Sequence, residues 1–178
     1  MEKIDKIICC ILSCRMAMLA LIMGISGLSL AAALTAQYVF GLAPCILCIY
    51  QRIPFIVAIL LAALGFGLKK LRKDNMVAPV IGLSGLVFLA NSVIAFYHSG
   101  VERHWWPSFL EGCAVPDLGN SPEDILKNIM NAPSVRCDEI PWADPILGLS
   151  MANYNVILCL GLAVVCFVSA ILLMRKSV

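Results

Sequence analysis

Four long runs of uncharged, apolar residues organise this sequence, and polar segments of very unequal length separate them. They cover about residues 16–36, 53–68, 77–97 and 154–174, the second extending to a span of 49–68. An α-helix needs about 20 residues at 1.5 Å rise each to cross roughly 30 Å of hydrocarbon. Three runs reach that length outright. The second reaches it only by including Ile49, Tyr50, Gln51 and Arg52, which places its first turn near the interface. The runs are apolar on every side, whereas barrel strands alternate every second residue. The pattern predicts an all-α membrane protein, a four-transmembrane-helix bundle in one integral membrane domain, 1–178. A short loop lies at about 37–48 and a long one at about 98–153.

Composition agrees with this picture. Of 178 residues, 61% are hydrophobic and 13% charged, and the mean hydropathy is +0.94. A small water-soluble domain cannot enclose that much apolar surface. Disordered chains and strongly basic nucleic-acid binders are excluded as well. The net charge of +2 hides an asymmetry. Lys3, Lys6, Arg15, the Lys69-Lys70-Leu71-Arg72-Lys73 link, Arg175 and Lys176 fall at one end of the predicted bundle. Most acids fall in the long loop. Lys and Arg mark the cytoplasmic side, so both termini are expected there and both loops outside. A cleaved signal peptide ending near Ala31-Ala32-Ala33 competes with the first helix, but the apolar run exceeds the usual signal core, so an uncleaved helix is expected.

In the long loop, Ser121-Pro122-Glu123-Asp124 followed by Ile125, Leu126, Ile129 and Met130 predicts a short amphipathic helix with an N-cap, a first-turn proline and one apolar stripe. Trp105, Trp106 and Trp142 suit the headgroup boundary. Glu102 and the other acids of this loop are expected on a solvated face.

Sidedness sorts the nine cysteines. Cys45, Cys48, Cys113 and Cys137 fall on the outer, disulfide-permissive side. Cys9, Cys10, Cys14, Cys159 and Cys166 are expected to be buried or idle thiols. Cys9-Cys10-x3-Cys14 has no partner His nearby, and no metal site is expected there. A Cys113–Cys137 bridge would close a loop of about 25 residues and stabilise the fold by about 3 kcal/mol. Cys45 and Cys48 are too close in sequence for a staple to gain much. A C-x-x-C pair at a helix N-terminus is a redox arrangement, because the helix dipole and free N–H groups favour the thiolate.

Arg52 follows Cys48 by four residues and shares its helix face, where it can stabilise a Cys48 thiolate or an anion on a bound acceptor, or else snorkel to water. Pro54 weakens that geometry. Two redox pairs on one side of a membrane form a relay, which needs an electron sink. No Cys-x-x-Cys-His haem signature and no glycine-rich dinucleotide fingerprint occurs. By elimination the sink is a lipid-soluble quinone, with Arg52 and His98 as candidate headgroup contacts.

Three blocks, in order around four helices and a second cysteine pair, resemble the DsbB family of bacterial inner-membrane disulfide-bond-forming proteins. They are Pro44-Cys45-Ile46-Leu47-Cys48-Ile49-Tyr50-Gln51-Arg52, Tyr97-His98-Ser99-Gly100-Val101-Glu102, and Cys137-Asp138-Glu139 with Trp142 and Leu147-Gly148-Leu149-Ser150-Met151-Ala152. The resemblance implies oxidation of a periplasmic thioredoxin-like dithiol protein, DsbA-like, with electrons delivered to ubiquinone or menaquinone. It implies that Cys113 forms the mixed disulfide with the partner and that Cys137 then attacks Cys45. Cys48 is thereby released as a thiolate against the quinone, with Arg52 assisting. His98 matches a motif residue with a supporting role, and His104 is expected at the surface. Rival readings are a vitamin-K-epoxide-reductase-like or reductant-exporting redox protein, and a disulfide-stapled membrane adaptor without redox turnover.

Overall fold

A computed structural model of the chain describes residues 14–110, 113 and 135–175. The predicted amphipathic helix at 121–130 and the thiols Cys9 and Cys10 lie outside the described residues. The described chain is helical. Helix α1 runs Arg15–Tyr38, α2 Ile46–Tyr50, α3 Arg52–Lys70, α4 Val77–Glu102 and α5 Met151–Arg175, with a 3-10 turn at Asp74–Met76. Four helical segments are long and apolar enough to cross a membrane, α2 and α3 together making the second.

The helices differ from the sequence pattern mainly at the outer ends. The second span begins at Ile46, and Gln51 interrupts it. That interruption accommodates Pro54. Because α3 starts afresh at Arg52, Pro54 falls in a first turn, where the missing N–H would have no intrahelical partner anyway. The third span continues past Tyr97 to Glu102, so His98 and Glu102 are helical residues rather than loop residues. The last span begins at Met151, held by a turn in which Asp144 Oδ2 accepts from the Ile146 and Leu147 amides at 3.2 and 2.7 Å. Gly148 completes that turn at φ +64°, a conformation costly for residues with a Cβ.

Successive spans run antiparallel; α4 packs against α5 and α3, and α1 against α3. Small residues permit close approach. A Cβ on Gly85 would lie 3.1 Å from Cys166 Cβ, and one on Gly65 would overlap the Leu19 side chain. The main core joins Met18, Ile22, Phe55, Ala62, Ile81, Phe88, Leu162 and Ala170 from all four spans. Outward-facing Leu60, Leu64, Leu86, Val93, Ile157 and Val164 are exposed, as helices facing lipid require. Between α4 and α5, Ser92 Oγ donates to the Val156 carbonyl at 3.1 Å and Asn91 Nδ2 to Cys159 Sγ at 3.3 Å.

The ends of the bundle are chemically opposite. Arg15, Lys69, Lys70, Arg72, Lys73 and Arg175 gather at one end, where Lys69 pairs with Asp74 at 2.9 Å. A second, smaller core lies at the other end and contains Cys45, Leu47, Val101, Cys113 and Cys137.

Candidate functional site

The site begins with Cys45, which caps α2. Its extended backbone (φ −72°, ψ 170°) directs Sγ back over the first turn, where it accepts from the Cys48 amide at 3.3 Å. This is the job an oxygen side chain usually does at a helix start, here done by sulfur. The Cys45 and Cys48 sulfurs are 3.0 Å apart and form no disulfide. His98, from the last turns of α4, brings Nε2 to 3.5 Å from Cys45 Sγ. The Cys48 thiol, then the imidazole and the Cys48 amide, hold the Cys45 thiol far below its ordinary value of 9.0, at about 4, against the opposing effect of burial.

A chain of amides fixes the imidazole. Asn155 Nδ2 on α5 donates to Gln51 Oε1 at 2.7 Å, and Gln51 Nε2 lies 2.9 Å from His98 Nδ1. With Nδ1 accepting, the neutral ring carries its proton on Nε2, facing Cys45. Glu102 sits one turn beyond His98, with Oε1 3.7 Å from Nε2. It is 5% exposed and accepts from Ser150 Oγ at 2.5 Å. The expected solvated face is therefore wrong for Glu102: the longer α4 and the start of α5 enclose its carboxylate between them. His104 is exposed, as expected.

Arg52 projects from the first turn of α3 and donates from Nη1 to Gln37 Oε1 on α1 at 2.8 Å. That bond ties its guanidinium across to another span. Cys45, Cys48, Arg52, His98 and Glu102 all line one cavity of about 810 Å³, whose other walls include Leu30 and Ala33 of α1 and Leu158 of α5. Apolar walls with a few convergent polar groups characterise small-molecule sites.

Cys113 and Cys137 form a disulfide and both are fully buried. The Cys137 amide donates to the Cys113 carbonyl at 3.0 Å. Beside the bridge, Arg136 donates to Asp138 from Nε at 2.8 Å and holds that carboxyl below its usual range. The bridge belongs to the same packed cluster as Cys45 and Cys48, joined through Tyr97, Trp106 and Leu110. Trp106 lies flat on the Gly100 backbone and donates from Nε1 to the Tyr97 carbonyl at 3.1 Å.

Among the described thiols, Cys14 is exposed at the opposite end, and Cys159 and Cys166 are buried within the bundle. The structure thus brings together Cys45, Cys48, His98 and the cavity-lining Arg52, and sets Cys113 and Cys137 in the same buried cluster as the first pair. Sequence reasoning missed Gln51, Asn155, Ser150 and the burial of Glu102. A polar residue inside an apolar span was the available signal for Asn155.

The family model for disulfide bond formation protein DsbB matches residues 15–169. An uncharacterized Rickettsia prowazekii protein, RP370, is 30% identical over 155 residues, 86% of this chain and 85% of that protein. Disulfide bond formation protein B of Chromohalobacter salexigens is 33% identical over 159 residues, covering 83% and 79% of the two chains. The protein of the same name from Stutzerimonas stutzeri is 28% identical over 150 residues, covering 79% and 85%. No solved structure shows a significant match. With four spans in order, two cysteine pairs packed in one cluster and a family match over most of its length, this chain belongs to the DsbB family of disulfide bond formation proteins.

Proposed function

We propose that this membrane disulfide oxidoreductase is a quinone-linked thiol oxidase. It takes two electrons from a thioredoxin-like, DsbA-like dithiol protein and passes them through its two cysteine pairs to the membrane quinone pool. The observation that carries this reading is the packing of both pairs in one cluster, with the inner pair opening onto the cavity.

The steps balance as thiol–disulfide exchanges. A thiolate of the reduced partner attacks Cys113 in the Cys113–Cys137 bridge, and Cys137 leaves as a thiolate. The partner's second thiol resolves the mixed disulfide, so the partner is oxidised and Cys113 and Cys137 hold the electron pair. Cys137 attacks Cys45 of a closed Cys45–Cys48 bridge and displaces Cys48; Cys113 then attacks Cys137, closing the outer bridge and releasing Cys45. Each exchange is favoured by a stable leaving thiolate. Cys45 has such stabilisation from its cap position and His98.

The cavity fits a quinone. Leu30, Ala32, Ala33 and Ala36 of α1 and Met151, Ala152 and Leu158 of α5 give it apolar wall, while Arg52, Cys48 and His98 add polar groups. A bound quinone supplies the oxidant, taking up two electrons and two protons. Arg52 holds positive charge at the headgroup, and His98 keeps a proton beside Cys45. The basic end of the bundle marks the cytoplasmic face of a bacterial inner membrane, which sets the cysteine pairs on the periplasmic side.

The test is oxidation of reduced partner by the purified, detergent-solubilised protein with and without added quinone, in wild type and in Cys48→Ser and Cys113→Ser. Turnover is expected to need quinone and Cys48. Cys113→Ser is expected to abolish partner oxidation while sparing exchange between the inner pair and quinone. Quinone-independent turnover, or full activity of Cys48→Ser, overturns the mechanism.

A further inference from the structure

The open inner pair has a second chemical capacity. Cys45 Sγ, Cys48 Sγ and a ring nitrogen of His98 all lie within 4.8 Å of one another, with 3.0 Å between the sulfurs and 3.5 Å from Cys45 Sγ to Nε2. A tetrahedral zinc ion, with bonds of about 2.3 Å to sulfur and about 2.0–2.1 Å to nitrogen, holds such donors about 3.6 Å apart. We propose that the reduced Cys45–Cys48 pair and His98 form a site for Zn2+, present only while the pair is open.

Three features beyond the distances support the site. Two thiolates neutralise a divalent cation, so the complex carries little net charge into a buried place. The buried Glu102 carboxylate stands 3.7 Å from Nε2, so an oxygen donor lies next to the histidine. The cavity supplies both room for that ligand and a route for the ion. Soft thiolates with one imidazole select zinc over magnesium or calcium, which require oxygen donors.

The amide chain adapts to either use of the histidine. Zinc on Nε2 requires the proton on Nδ1. Half-turns of the Gln51 and Asn155 amides exchange their oxygens and nitrogens, so Gln51 Oε1 accepts from Nδ1–H and Asn155 Oδ1 accepts from Gln51 Nε2. The Gln51–His98 and Gln51–Asn155 distances suit both senses; turning Asn155 also makes Cys159 Sγ, which now donates to Asn155 Oδ1 at 3.1 Å, an acceptor from Nδ2. Metal-bound histidines usually make such an outer hydrogen bond, and losing it typically costs about 10–100-fold in affinity.

Binding takes both sulfurs as thiolates, releases to water any proton they still carry, and transfers no electrons. A closed disulfide offers no thiolate, so oxidation of the pair destroys the site. If the inner pair passes electrons as proposed above, a bound ion blocks that step by occupying both sulfurs. The ion therefore arrests the enzyme in its reduced form, and removal of the ion releases it. Only this effect on turnover rests on the quinone-linked reading; the binding itself does not.

The test uses the full chain in detergent, reduced and freed of reductant, with Co2+ as a spectroscopic stand-in and Zn2+ as competitor. One equivalent of Co2+ is expected to give thiolate-to-metal charge transfer and tetrahedral ligand-field bands, which Zn2+ abolishes. The same preparation with its disulfides closed serves as a folded control and is expected to give neither band. Cys113→Ser/Cys137→Ser is expected to keep the bands, His98→Gln to weaken binding at least tenfold, and Cys48→Ser to lose it. Equal bands from the oxidised chain, bands that survive Cys48→Ser, or no bands from the reduced wild type overturn the proposal. Zinc binding without any change in turnover retains the site and counts against the electron path instead.

Discussion

Gln51 Nε2 lies 2.9 Å from Nδ1 of His98, a residue 47 positions later and on another helix, and so decides which ring nitrogen faces Cys45. Replacing Gln51 by Leu removes that partner and leaves both the imidazole and Asn155 Nδ2 without it. A buried polar group left unpaired costs about 1–3 kcal/mol. Gln51→Leu is therefore expected to lower the stability of the reduced protein by about that amount and to move the Cys45 thiolate titration to higher pH. Thermal unfolding and thiolate ultraviolet absorbance measure the two effects. An unmoved titration would show that His98 needs no such anchor.

The Cys45 thiol, lowered from 9.0 to about 4, makes a signed prediction for pH. Between those values the folded, reduced chain holds a thiolate where the unfolded chain holds a thiol. The unfolded state then binds the additional proton, so stability rises with pH. The contribution is fully present above about pH 9 and is lost as pH falls through about 4. Thiolate absorbance of the reduced protein is expected to persist at pH 6 and to disappear in Cys45→Ser; loss of the signal near pH 8 would contradict the cap geometry.

Gly100 is required by a close approach. A Cβ there would lie 2.0 Å from Trp106 Cζ2, and an indole is a rigid neighbour. Gly100→Ala is expected to expel Trp106, break its bond to the Tyr97 carbonyl and destabilise the outer cluster by about 1–3 kcal/mol. Tryptophan emission should shift to the red, and the long loop should become easier to proteolyse. Gly27→Ala, with nothing within 4 Å of the added carbon, is the control and should be neutral or slightly stabilising.

Arg52 and Gln37 form a bond between two spans at the cavity, 2.8 Å long. Lys cannot reproduce the planar fork of a guanidinium. Arg52→Lys is expected to raise the KM for quinone about tenfold, about 1.4 kcal/mol of binding. Reduction of the Cys113–Cys137 bridge by the partner should be unchanged. Gln37→Leu should move the same KM in the same direction by less. A fall in kcat with KM intact would place Arg52 in the chemistry rather than in binding.

Much of this architecture is legible in the order of residues because a membrane imposes it. Every backbone polar group within hydrocarbon must be paired inside its own segment, so four apolar runs, three of about 20 uncharged residues and one that borrows a turn through Arg52, become four helices whatever their neighbours do. The spacing of Cys45 and Cys48, the basic link at 69–73 and the separate pair Cys113 and Cys137 are equally local features. The motif blocks around Cys45–Cys48, His98 and Cys137, with the second cysteine pair, carry the family resemblance, and the match over residues 15–169 bears it out.

The tertiary structure decided what depends on contacts between helices. The sequence placed His98 and Glu102 in a loop, because a helix end near polar residues has no sharp hydropathy signal; packing against α5 extends α4 through both. Glu102 reads as a solvated acid until Ser150, 48 positions away, supplies its hydrogen bond. Gln51 lies in the first motif block and Asn155 in none, 104 positions away; their pairing matters only because α4 places an imidazole beside Gln51. Hydrophobicity is a property of a segment and survives in the sequence alone. The direction of a proton between two side chains is a property of their neighbours, and only the packed bundle sets it.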